Sequence, residues 1–225
     1  MAGESFSPPG ATRSQRFKMI ARSKPYFWVT RLTPLLAGED SCEWKVWFKS
    51  HYQNYDKIHR DGASLSEWEE KHTALLNKLK AEYKATSGQV LVEGQTAWKI
   101  EGKSAIVAGK MDLIALNPNL VIDAKGGKPK SSHVVQVKLY LLAIELGAVP
   151  GVQGHFSGVL GYPDGHKVDV LQPDKDFKER FYSLVKRLAT VEAETVPSKY
   201  ECEFCDLADC TARFDKESVL QTAEF

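Results

Sequence analysis

Three short strings near the middle of the chain carry residue types that could do chemistry together. They are Gly109-Lys110-Met111-Asp112, Val121-Ile122-Asp123-Ala124-Lys125 and Gln136-Val137-Lys138-Leu139-Tyr140. In order they read G-x-x-D, an apolar run ending in D-x-K, and Q-x-x-x-Y, an order that suits a metal-dependent cut in a phosphodiester backbone. Two carboxylates close together are costly unless a cation neutralises them. Their hard oxygens suit Mg²⁺ or Mn²⁺. Such an ion polarises a phosphate and lowers the pKa of a bound water. Lys125 would orient that water or neutralise charge developing in the transition state.

These groups need elements to position them. Leu120 to Lys125 reads as a short buried strand because Val121 and Ile122 are β-branched and apolar. Residues two apart on a strand share a face, so Asp123 and Lys125 look one way and Ala124 turns toward the core. Ser104 to Leu116 is an earlier strand candidate that contains Asp112. Asn117-Pro118-Asn119 is a turn signal between the two, and a hairpin there would bring Asp112 and Asp123 close. Ser131 to Leu146 reads as a helix, with Ser131 or Ser132 as its cap and Gly147 as its end. Gln136 and Tyr140 share one face of it and could contact a DNA backbone or brace Lys125.

Ser64 to Lys84 shows helical periodicity in Leu65, Trp68, His72, Leu75, Leu76, Leu79 and Tyr83, with Ser64 and Glu67 spaced as a capping box. His72 falls on the apolar stripe, where a hydrogen-bonded core histidine is the ordinary reading. The chain has four cysteines: Cys42 alone, and Cys202, Cys205 and Cys210 as C-x₂-C-x₄-C. Four thiolates can complete one tetrahedral zinc or one iron–sulfur cluster, and the spacing suits either. A site made from all four would tie the two ends of the chain together. Nothing resembles a secretory signal, so a cytoplasmic protein with reduced thiols is expected.

With the three strings and the cysteines in this order, the chain resembles RecB-like nucleases of the PD-(D/E)XK superfamily. It is most similar to the iron–sulfur subgroup, which holds the CRISPR-associated exonucleases of spacer acquisition and AddB-type nuclease domains. The resemblance spans roughly Trp28 to Phe214 and implies a central mixed sheet flanked by helices. It implies that Asp112, Asp123, Lys125, Gln136 and Tyr140 form the catalytic set. His72 and the Ala124 carbonyl would complete the Mn²⁺ or Mg²⁺ shell. Cys42, Cys202, Cys205 and Cys210 would hold a structural 4Fe–4S cluster. Arg31, with Thr30, stands where such nucleases could contact a strand or the cluster. The implied activity is exonucleolytic, on single-stranded DNA or overhangs, with the spacer integrase complex as a partner. Phage and recombination nucleases share the motifs, and a non-cutting DNA-binding adaptor with a zinc staple is the other reading. Here Asp123 replaces the commoner Glu and supplies the same oxygen ligands.

The rest of the chain sets limits. A length of 225 residues can bury a sizeable core, and 43% hydrophobic with 26% charged residues is ordinary for a soluble globular protein. A net charge of +1 carries no global nucleic-acid signal. Local clusters do: Lys128 and Lys130 follow Lys125, and Lys103 and Lys110 flank Asp112, as a rim that would attract phosphate. Residues 1–24 read as a mobile basic arm and residues 25–225 as one nuclease domain without internal repeats. Trp28, Trp44, Trp47, Phe48 and Tyr52 are expected to pack the first helices. Val90 to Ile100 reads as a strand, Val152 to Leu171 as a hairpin turning at Gly161-Tyr162-Pro163-Asp164-Gly165, and Asp174 to Glu194 as a helix capped by Asp174. No apolar run approaches membrane-spanning length.

Overall fold

Apolar runs broken by turn residues divide the chain between Val90 and Val170 into seven strands, and amphipathic helices flank them. The structure, a computed structural model, describes residues 19–58, 63–196, 198–208 and 210–214, without the side chains of 63–66 and 68. The capping side chain of Ser64, the side chains of Leu65 and Trp68, and positions 1–18 of the expected arm fall outside the described residues. In chain order the elements are β1 (Ile20–Ala21), β2 (Tyr26–Trp28), α1 (Val29–Ala37), α2 (Glu43–His51), β3 (Tyr52–Gln53), α3 (Ala63–Ser87), β4 (Val90–Val92) and β5 (Ala97–Glu101). They continue as β6 (Ile106–Lys110), β7 (Leu113–Leu116), β8 (Asn119–Ala124), α4 (Ser131–Glu145), β9 (Ser157–Gly161), β10 (Lys167–Val170), α5 (Lys175–Thr190) and α6 (Lys199–Phe204).

The main sheet has five strands in the order β10-β9-β8-β7-β4. β7 and β8 form an antiparallel hairpin, and β8 runs parallel to β9. Parallel neighbours require a crossover, and α4 supplies it. A second sheet has the order β2-β6-β5, and β1 pairs with β3. The result is mixed α/β, with sheets flanked by helices. No helix among the described residues is long and apolar enough to cross a membrane.

Strand parity decides what faces what. Ile122 and Ala124 pack with Leu113, Ala115 and the α3 residues Leu75, Leu79 and Tyr83. Val121, on the other parity, packs with Ile114 and Val137 in the larger core under α4. Asp123 shares Val121's parity and therefore points to the α4 side. α4 is apolar nearly all round, with Val137 and Leu139 to Ile144 buried, because it lies between the sheet and α1. α5 is amphipathic and buries Phe177, Phe181, Leu184 and Leu188.

Several expected elements differ in detail. The strand expected over Ser104 to Leu116 is two strands, β6 and β7, in different sheets. The strand expected over Val90 to Ile100 likewise splits into β4 and β5 around a turn. Glu93-Gly94-Gln95-Thr96 makes the first of these turns, whereas only Met111-Asp112 separates β6 from β7, too short a signal to reveal where the chain changes sheet. Part of the expected arm is structured: β1 pairs with β3, and the Arg22 N–H donates to the His51 carbonyl at 2.7 Å. The α4 cap is not a serine. Lys130 holds the N-cap position without a side-chain bond, and Ser132 N–H donates to Glu39 Oε1 at 2.8 Å. Gly38, with φ of 71°, ends α1 and swings Glu39 toward that helix start, where a carboxylate is favoured. α5 is capped as expected, Phe177 N–H donating to Asp174 Oδ1 at 2.7 Å, but it ends at Thr190.

Close approach of α4 to the sheet depends on Gly158 of β9. A Cβ there would meet Val137 Cγ1 at 2.3 Å and Val170 Cβ at 3.0 Å. Both neighbours are β-branched and stiff. Gly158→Ala is expected to destabilise the fold by about 1–3 kcal/mol. The check is the urea-unfolding midpoint against wild type, and an unchanged midpoint would show that α4 is free to shift.

Candidate active site

Asp112 occupies the corner where the chain leaves β6 for β7, between the two sheets. Its Oδ2 accepts the Ala124 N–H at 2.8 Å, which ties the corner to the end of β8. His72 of α3 approaches the same oxygen, Nε2 to Oδ2, at 3.6 Å. Asp123 is 1% exposed. Its Oδ2 is ion-paired with Lys125 Nζ at 2.7 Å. Its Oδ1 receives Gln136 Nε2 at 3.4 Å.

α4 completes the cluster. Lys125 Nζ donates to Gln136 Oε1 at 2.9 Å. Gln136 Nε2 also donates to the Tyr140 hydroxyl at 2.6 Å, and that hydroxyl donates to the Lys110 carbonyl at 2.8 Å. Tyr140 is itself buried, and Trp98 meets its ring edge-on with centroids 6.2 Å apart. Gly109 makes room for Trp98, because a Cβ there would come within 2.6 Å of the indole and 2.8 Å of Val29. The glycine of G-x-x-D thus acts through packing, behind the side chain that braces Gln136.

Electrostatics follow from this burial. Burial pushes the Asp123 carboxyl up to about 6, with Asp112's negative charge adding to the rise and Lys125 opposing it. The hydrogen bond to Asp112 raises His72 against the effect of its own burial. Burial raises Tyr140 well above the usual phenol range. His133, one turn before Gln136, is pushed down to about 4 by burial and by Lys125 and Lys130. Its Nδ1 lies 3.2 Å from the Tyr162 hydroxyl.

These groups line a cleft of about 1220 Å³ whose lining is completed by Trp28 at the end of β2 and by residues of α1, α2 and α6, including Lys45, Tyr200 and Phe204. Lys110 and Lys130 line it, whereas Lys128 does not. The Lys110 ammonium is paired with Glu93. Arg31 faces a different concavity. His51 lies against Trp47 and its carbonyl, away from the carboxylates. Trp44, Trp47, Phe48 and Tyr52 form one ring cluster on and after α2.

The four cysteines are free thiols and line one small cavity with Trp44. Cys42 precedes α2, Cys202 lies in α6, and Cys205 and Cys210 follow it. Burial raises the Cys210 thiol, and the charges of Cys205, Cys42 and Cys202 add to the rise. Arg213 donates to the carbonyls of Cys202, Cys205 and Leu207, and Phe214 N–H donates to Cys202 Sγ at 3.3 Å. Among the described residues, no group of three or more His, Cys, Asp or Glu stands arranged to hold a metal ion.

Sequence reasoning missed Glu201, which is buried. Its Oε1 accepts Ser41 N–H at 2.8 Å and Ser41 Oγ at 2.6 Å, and its Oε2 accepts Cys42 N–H at 3.2 Å and Lys45 Nζ at 2.9 Å. Burial alone would raise this carboxyl, but the bonds from Ser41, Lys45 and Cys42 hold it down at about 2. The available signal was Ser198-Lys199-Tyr200-Glu201, a capping-box spacing. Ser198 does cap α6. The glutamate, however, reaches across to the Cys42 loop instead of back to its own helix.

Comparison with known proteins adds two findings. The family model described as the PD-(D/E)XK nuclease superfamily matches residues 35–210. A solved structure titled "Crystal structure of SSO0001" is similar with a TM-score of 0.51 and 18% identity, over 87% of this chain and 91% of that chain. At that identity the likeness is one of fold. No curated protein matches the chain.

Two buried carboxyls give opposite pH signatures. Asp123 is raised from 3.8 to about 6, so in chelator its contribution to stability falls as pH rises from about 4 through about 6. Glu201 is lowered from 4.5 to about 2, so its contribution is full above about 4.5 and is lost as pH falls toward 2. Urea midpoints measured across pH should show this as differences from wild type. The Asp123→Asn difference should change between pH 4 and 6, and a flat difference would contradict the buried carboxyl. Glu201→Gln should cost about 3 kcal/mol at pH 7, the scale for removing one partner of a buried pair. That cost should shrink in acid, and a cost that persists undiminished at pH 3 would argue against an ionised clamp.

Proposed function

The chain belongs to the PD-(D/E)XK nuclease superfamily, whose members are metal-dependent nucleases, and we propose that it is an exonuclease acting on single-stranded DNA or overhangs. The observation that carries this reading is the hydrogen-bonded cluster of Asp123, Lys125, Gln136 and Tyr140, with Asp112 tied beside it through the Ala124 N–H, lining an open cleft. In the proposal Asp112 and Asp123, with His72 and the Ala124 carbonyl, would hold Mn²⁺ or Mg²⁺. The fit rests on the chemistry of the donor set, two carboxylates, a carbonyl oxygen and one imidazole, with Asp123 Oδ2 held in this structure by the Lys125 ammonium alone. When bound, such an ion supplies Lewis-acid polarisation of phosphate and water.

The protein's own groups do the rest. Lys125 carries a positive charge at the position where the attacking water and the phosphate would meet, and Gln136 fixes its direction through Oε1. Tyr140 holds Gln136 and is itself held by the Lys110 carbonyl. Lys130 lines the cleft and offers a charge to a neighbouring phosphate. Lys110, once released from Glu93, and Lys128 at the rim would extend that attraction.

We further propose that the four cysteines hold a structural 4Fe–4S cluster. Supporting this are their shared cavity and the N–H donor on Cys202 Sγ. Iron and sulfide analysis of anaerobically purified protein separates a cluster from zinc. Residues 25–225 would then act as one domain stapled at its ends. The resemblance to CRISPR-associated exonucleases supports prespacer-end trimming beside the spacer integrase as its setting, with cytoplasmic location.

The test is cleavage of end-labelled single-stranded and overhang DNA with Mn²⁺, Mg²⁺ or chelator, with circular single strands as the control for end dependence. Cutting is expected only with metal and only from ends, and Lys125→Ala should lower it by roughly 10²–10³-fold. Wild-type protein with a full cluster that leaves every substrate intact would sink the nuclease reading in favour of a DNA-holding subunit.

A further inference from the structure

A second concavity, of about 370 Å³, opens beside the β1–β3 ribbon. Arg22, Arg31, Gln53, Asn54, Tyr55 and Lys57 line it, giving three cations and no carboxylate among the described residues. Arg22 Nη1 donates to Gln53 Oε1 at 3.0 Å, and its guanidinium lies 5.6 Å from the Tyr26 ring. Its Nε is buried with no hydrogen-bond partner. Arg31, in the first turn of α1, donates from Nη1 to the Lys49 carbonyl at 3.0 Å. Lys57 Nζ lies 5.6 Å from the centroid of the Tyr55 ring.

The contrast with the catalytic cleft is informative. There Lys45 is paired with Asp40 and Glu201, Lys49 with Asp206, Lys110 with Glu93 and Lys125 with Asp123. In the second concavity none of the three cations forms an ion pair within 4 Å among the described residues; Lys57 acts on Asp206 at longer range, and that carboxylate is already paired with Lys49. Converging like charges repel, and a buried N–H without an acceptor carries a desolvation cost. An oxyanion with several acceptor oxygens relieves both at once. Guanidinium donors match phosphate geometry in particular. The Tyr55 ring beside the cations suits the sugar or base attached to such a phosphate. The concavity also abuts the cleft: Thr30 and Lys49 line the cleft, while Arg31, next to one and bonded to the other, lines the concavity.

We infer that Arg22, Arg31 and Lys57 form a phosphate-binding subsite that anchors the DNA strand away from the point of cutting. This rests on the nuclease reading for its ligand. The bound group is a phosphodiester within the strand or a terminal 5′-phosphate, which share the same chemistry.

The test measures binding of fluorescent single-stranded oligonucleotides in chelator, where nothing is cut, across a salt series. Probes are 5′-phosphorylated, 5′-hydroxyl and circular. The Arg31→Gln/Lys57→Gln protein is expected to bind roughly 10-fold more weakly at low salt. Its slope of log affinity against log salt should fall by about 1.4, at about 0.7 per lost phosphate contact on single strands. An advantage of the 5′-phosphorylated probe that vanishes in the variant assigns a terminal phosphate. Equal losses on all three probes assign an internal one. Affinity and slope equal to wild type on every probe overturn the subsite. If the double variant does not fold, Lys57→Gln alone, at an exposed position, should lower the slope by about 0.7, and an unchanged slope overturns the inference. The nuclease reading fails separately, when wild type binds with full salt dependence but does not cut with metal.

Discussion

The site depends on a carboxylate kept almost entirely out of water. Asp123 is the penultimate residue of a central strand, on the face covered by α4, and isolated burial of that charge would be costly. Lys125, two residues on, brings the compensating charge to one oxygen, and Gln136 brings an amide to the other. Gln136 also binds Lys125, so the lysine is oriented by the same side chain that helps neutralise the aspartate. Tyr140 and the Lys110 carbonyl then anchor Gln136. The order of residues along α4 matters because one residue per turn must reach the site while the rest of the helix fills the core.

That arrangement requires α4 to sit close against the sheet and to begin at a defined place. Gly158 permits the approach, and Glu39 sets the beginning. Gly109 lets Trp98 pack behind Tyr140. None of these residues belongs to the cluster itself, yet each limits how far its side chains can drift.

The far wall of the cleft is built differently. α6 and the Cys42 loop come from opposite ends of the chain and meet through Glu201, which gathers four donors from Ser41, Cys42 and Lys45. Arg213 gathers three carbonyls of the tail around the cysteines. The two ends are therefore joined without any contribution from the thiols. A protein lacking any metal at the cysteines would keep a polar clasp there, which separates the order of this wall from the chemistry of the thiols.

What the sequence could determine by itself was whatever depends on short range. Asp123 and Lys125 are two apart on a β-branched run, and Gln136 and Tyr140 are four apart on a helix. Strand parity and the helical repeat then dictate their shared faces whatever the surroundings. The Gly161-Tyr162-Pro163-Asp164-Gly165 turn and the Asp174 cap were legible for the same reason. The corner at Asp112 was not, because β6 and β7 are both apolar and only their different partners reveal the break. The Glu39 cap and the Glu201 clamp join residues 93 and about 160 positions apart, and the Arg22–Arg31–Lys57 concavity is likewise assembled across the fold. Such contacts have no local signature, since a charged residue reads the same whether it meets water or a distant partner. Only the tertiary fold, by deciding which surfaces lose their water, settled which of these charges had to be matched by a partner.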